Sequence, residues 1–136
     1  MPIEYRIDSE KKLVLVKGYG KFSFDDLQEF RANLVKDPLF HEGMKELADY
    51  RNVEEHYFTR EGFQQFLDQE KQFIDLLRDY MIAIVTDSDL HYGFARMYIA
   101  KMSDLIPNVK VFRDFEQAEV WLLGEGEQST ASTDSA

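Results

Sequence analysis

Met81-Ile-Ala-Ile-Val-Thr86-Asp-Ser-Asp-Leu-His91-Tyr-Gly-Phe-Ala-Arg96-Met-Tyr98 is the stretch whose reading decides the fold. Its first half, Tyr80 to Val85, is apolar without alternation. A strand of that kind is central and covered on both faces, usually within a parallel sheet. An acidic turn follows, and then a helical pattern expected over about Leu90 to Ile106, stopped by Pro107. A buried strand that empties into a helix N-terminus is where open α/β folds place their ligands.

Upstream, Ile3-Glu-Tyr-Arg-Ile-Asp8 alternates apolar and polar, and Leu13-Val-Leu-Val-Lys17 follows a short polar turn. The pair predicts a hairpin, ended by Gly18-Tyr-Gly20. Ser23 is placed to cap a helix, with Asp25 and Asp26 favourable against its dipole. Leu27, Phe30, Leu34 and Val35 form the apolar stripe of that helix, which stops near Asp37-Pro38. Lys45 to Tyr50 predicts a third, short strand, and Arg51 to Phe58 a polar and aromatic loop.

The next helix is expected from about Thr59 to Leu77. Phe63, Phe66, Leu67, Phe73, Ile74 and Leu77 fall within an arc of roughly 120° at helical periodicity, a core face or the wall of an apolar pocket. Val109 to Arg113 predicts the fifth strand. Asp114 caps a last helix, with Gln117 in capping-box position and Phe115, Ala118, Trp121 and Leu122 facing inward. The order is ββαβαβαβα: one α/β domain over residues 1–123, with a five-stranded mixed sheet and four helices. Residues 124–136 carry Gly, Ser, Thr and acid with only alanine as an apolar side chain, which predicts a disordered tail.

The bulk properties narrow the function. The 136 residues carry 26 acids against 16 bases, a formal charge of −10. That balance argues against nucleic acid and anionic membrane as partners, since both call for cationic footprints. With no cysteine, disulfides, thiolate zinc sites and a cysteine nucleophile are excluded. No apolar signal core opens the chain, and no run approaches the ~18 residues that span a bilayer. The expectation is a cytoplasmic protein with no integral membrane segment.

Three segments together carry a family resemblance: Leu47-Ala-Asp-Tyr-Arg-Asn-Val53, Tyr92-Gly-Phe-Ala-Arg-Met-Tyr98, and Val111-Phe-Arg-Asp-Phe-Glu-Gln-Ala-Glu-Val-Trp-Leu122. In order and spacing the chain resembles the SpoIIAA-like family, small bacterial proteins also described as STAS/SEC14-like domains, from about Ile3 to Leu123. The resemblance implies the same α/β fold and a binding or regulatory role, commonly without catalysis. The best-known STAS members act through a phosphorylated serine at the helix start after the third strand, in an Asp-Ser-Ser-Gly-like turn. Here the matching region is Tyr57-Phe-Thr-Arg60, where Thr59 is the available hydroxyl and the Ser-Gly pair is missing. Thr59 is therefore a helix cap or a phospho-switch.

Further candidates come from the residues themselves. Asp87, Ser88 and Asp89 form a turn that binds a cation, lets a ligand reach the helix amides with Ser88, or simply caps the helix, and two acids there would repel an anion. His91 and Tyr92 extend the same mouth. Arg96 would clamp an anionic ligand or pair with a local acid. Gly93 inside a helix costs about 1 kcal/mol relative to alanine. With Met97 and Ala100 it forms a small-residue stripe suited to a second helix, in the same chain or in a second copy. The three histidines stand in separate segments without metal-ligand spacing, so no metal and no cofactor is expected. No activated nucleophile or poised base is evident either, which points away from an enzyme. A homodimeric regulatory or binding module, with a protein partner, is the leading expectation. A binder or carrier of a small apolar or lipid-like ligand is the alternative, its cavity lined by the phenylalanines from Phe63 to Phe73.

Overall fold

The structure is a computed structural model that describes residues 2–124. The tail expected at 124–136 lies, from residue 125 on, outside the described residues. The elements are β1 (Ile3–Asp8), β2 (Leu13–Ser23), α1 (Phe24–Lys36), β3 (Lys45–Tyr57), α2 (Arg60–Gln72), α3 (Ile74–Leu77), β4 (Met81–Val85), α4 (Asp89–Met102), β5 (Val109–Phe112) and α5 (Phe115–Leu123). They build one α/β domain around a five-stranded mixed sheet of order β1-β2-β3-β4-β5. Only β1 runs antiparallel to its neighbour; the remaining pairs are parallel.

Alternation in the strands distributes side chains to two cores. In β2, Val14 and Val16 join the larger core beneath α1, α2 and α4, while Leu13 and the half-buried Leu15 face α5. In β4, Ile82 and Ile84 face the large core, and Ala83 and Val85 the small one. Both faces are covered, so apolar residues follow one another without a polar partner between them. Burial of this kind is worth roughly 25 cal/mol per Å² of apolar surface, and it outweighs the weak local propensities.

Several boundaries depart from the sequence expectations. Met81–Val85 is an interior strand, but the middle position of the sheet belongs to β3. The stretch from Arg51 to Tyr57 is strand rather than loop, and Gly18-Tyr-Gly20 does not end β2. Both strands run on together as a two-stranded ribbon, with Tyr19 opposite Asn52 and Ser23 opposite Tyr57. Pairing of β3 with β4 stops at Asp49, so the ribbon projects past the sheet. The glycines carry β2 through two register irregularities rather than out of the sheet. Gly18 is needed because a Cβ there would lie 2.6 Å from Cδ1 of Tyr50. The helix expected from Thr59 to Leu77 breaks at Phe73, which makes α3 a fifth helix of one turn.

Candidate functional site

Ribbon, α2 and α4 converge at the C-terminal end of the parallel strands. Thr86 is fully buried at the end of β4, and its hydroxyl accepts from the Ser88 amide at 3.2 Å. Ser88 caps α4, its hydroxyl accepting from the His91 amide at 3.1 Å. These bonds set the helix start, and they divide the predicted residues into two groups.

The first group faces outward. Asp89 pairs with Arg113 at 2.7 Å, both side chains largely exposed, so the pair adds little stability. The same guanidinium lies 4.5 Å from the centre of the Tyr92 ring and donates to the Asp87 carbonyl at 3.4 Å. Arg113 thus organises Asp87, Asp89 and Tyr92, although no local sequence pattern marks it. An arginine leaving a strand that neighbours the turn is a signal only once strand order is known. Arg96 is exposed and makes no ion pair among the described residues. Leu90 and Met97 are 50% and 44% exposed, on the stripe that also holds Gly93 and Ala100. A Cβ added at Gly93 would meet nothing within 4 Å, so its own chain supplies no close neighbour.

The second group faces inward. His91 is 4% exposed and stacks on Tyr50 at 4.9 Å between ring centroids, with Phe22 at 5.8 Å. Its Nδ1 lies 3.1 Å from Nε2 of His56, which the ribbon brings across from β3. Burial first, and the neighbouring His56 second, push the His91 pKa down to about 3, so the ring is neutral at ordinary pH. Burial also lowers His56. One ring must therefore present its N–H and the other its lone pair. Thr59 stands outside this cluster: it is exposed, and its hydroxyl caps α2 by accepting from the Gly62 amide at 3.0 Å.

Below His91 a cavity of about 50 Å³ opens between α1, α2, α4 and the sheet. Phe24, Phe58, Phe63, Phe66 and Phe94 form its walls, and Arg31, Glu46, Tyr50 and Tyr98 add polar groups. Arg31 projects from α1 into the core, where its Nε donates to Glu70 and a terminal nitrogen to Glu46, both at 2.9 Å. Tyr98 donates to Glu70 and Tyr80 to Glu46, both at 2.7 Å. Burial lowers the Arg31 pKa, but Glu70 and then Glu46 overcome it and hold the group charged. No periodicity argument finds this network, because Arg31, Glu46 and Glu70 look like ordinary surface residues in one dimension.

A wider groove of about 320 Å³ lies on the opposite face, bordered by Glu4, Arg6, Lys17, Asp49 and Phe115. It exists because α5 lies over β3, β4 and β5 and leaves the outer sheet open. Among the described residues, no group of three or more His, Cys, Asp or Glu is placed to hold a metal ion. No helix among them is long and apolar enough to cross a membrane.

No protein-family model and no curated protein matches the chain. Among solved structures it is similar to an uncharacterized protein of the DUF3478 family with a SpoIIAA-like fold, from Shewanella loihica PV-4. The two are 17% identical with a TM-score of 0.56, over 88% of this chain and 93% of the other. At that identity the likeness speaks for architecture alone. The chain has a SpoIIAA-like fold.

Proposed function

We propose that the protein is a non-catalytic, STAS-like binding module that works through protein contacts, with a second copy of itself as one partner. The observation that carries this reading is the outer face of α4. Leu90, Gly93, Met97 and Ala100 recur at helical spacing, all exposed, beside the Asp89–Arg113 turn. A helix glycine with open space around it costs stability without any gain inside the chain. Two such helices crossing at Gly93 would approach closely and cover Leu90 and Met97. The acidic turn and Arg96 would then form the polar rim of the contact. The lipid-like alternative is less well supported by the geometry. The aromatic cavity holds about 50 Å³, whereas ligands of that size class occupy roughly 300 Å³ or more.

Sedimentation velocity across the micromolar range tests the proposal, with Met97→Glu as the contact variant. The expected result is a dimer for the natural chain and a folded monomer for the variant. A natural chain that stays monomeric throughout that range refutes it.

A further inference from the structure

The aromatic cavity carries an inference that goes beyond this reading and is independent of the α4 contact. Two polar groups on its lining keep hydrogen-bonding capacity that the other described residues do not take up. Tyr50 is 5% exposed, and its hydroxyl makes no hydrogen bond among the described residues. Glu46 uses Oε1 for both Arg31 and Tyr80, which leaves Oε2 without a bond among them. Burial raises the Tyr50 pKa first and the Glu46 carboxylate second, so the two groups share one field. A group seated against Glu46 Oε2 must donate a hydrogen bond to the carboxylate.

Charge selects the kind of donor. Arg31 is the cation of the buried network, and Glu46 and Glu70 are its two carboxylates, an excess of one negative charge away from water. Arg31 is already engaged by both, so the site repels an anion rather than binding it. The walls point the same way. Phe24 stacks on Phe58 at 4.2 Å, and Phe94 meets Phe24, Phe58 and Phe63 at 5.3 to 5.4 Å. Rings grouped around a cavity that borders a network with two carboxylates to one cation have the chemistry of an alkylammonium cage. The volume admits a group of only a few heavy atoms.

We propose that this cavity binds a small alkylammonium group, its N–H directed at Glu46 and Tyr50 and its carbons against the phenylalanine rings.

Three probes of nearly equal size separate the determinants: ethylammonium chloride, ethanol and sodium acetate, titrated at matched ionic strength. Binding is followed by NMR through the methyl groups of Ala95 and Ile84, both on the cavity lining. Ethylammonium is expected to shift both methyls saturably and to bind at least tenfold more tightly than ethanol, with no shift from acetate. Tyr50→Phe keeps the ring and should weaken ethylammonium by about tenfold. Ala95→Leu fills the cavity and should abolish the shift at Ile84. Equal binding of ethanol, binding of acetate, or retention of affinity in Ala95→Leu overturns the proposal. Silence from ethylammonium at tens of millimolar also overturns it, and assigns the space to water.

Discussion

Arg31 Nε donates to Glu70 Oε1 at 2.9 Å, with the two side chains 4% and 0% exposed. That bond ties α1 to α2 inside the core, and Glu46 ties the same arginine to β3. Removing one member of such a set leaves charge buried without compensation, whereas removing all of it is far less costly. Arg31→Met should lower stability by about 3–5 kcal/mol in chemical denaturation. Adding Glu46→Gln and Glu70→Gln to Arg31→Met should recover most of that loss. If the triple variant is the least stable of the set, the network stabilises the fold outright.

His91 predicts a pH dependence whose sign follows from its depressed pKa. The unfolded chain takes a proton below about 6.5, and the folded one only near 3. Stability from this group is therefore full above 6.5 and is lost as pH falls from there toward 3. Within that window one histidine contributes a slope of up to about 1.4 kcal/mol per pH unit, and His56 adds in the same direction. His91→Phe, which keeps a ring against Tyr50, should flatten the stability profile between roughly pH 6.5 and 5. An unchanged profile would place the acid sensitivity elsewhere.

Gly93→Ala separates monomer stability from assembly. A methyl group at this position meets open space in the chain, and alanine is the better helix former. Unfolding of the monomer should become about 0.5–1 kcal/mol less favourable. Sedimentation of the same variant should show weaker dimerisation if two α4 helices cross at the glycine.

Thr59→Ala removes a cap and should cost about 1 kcal/mol, read as a shift in the denaturation midpoint. Thr59→Asp, which retains a capping oxygen, should lie close to the natural chain. Equal losses in both variants would mean that the hydroxyl does more than cap α2.

Local signals and long-range ones separate clearly in this chain. Ser23, Thr59, Ser88 and Asp114 all cap helices, as their positions in the sequence suggest. A cap depends on bonds spanning two or three residues, so it is written locally. The ribbon formed by β2 and β3 is not legible in one dimension, because Arg51-Asn-Val-Glu-Glu-His-Tyr57 has neither apolar alternation nor a turn signal. Its pairing with Tyr19 to Ser23 depends on another strand, not on its own composition.

The opening stretch shows the same division. From residues 81–98 alone come a doubly covered strand, an acidic turn and a capped helix, because burial on both faces and capping leave one-dimensional patterns. The sequence placed His91 and Tyr92 together at one mouth. Only the tertiary structure sends His91 inward to His56 and Tyr50 while Arg113 covers Tyr92 outside. It also decides that Arg31, Glu46 and Glu70 are core residues. The physical reason is that a charged side chain enters a core only where its partners arrive from other elements. Those meetings, between residues 15 to 39 positions apart, are set by topology rather than by neighbouring residues.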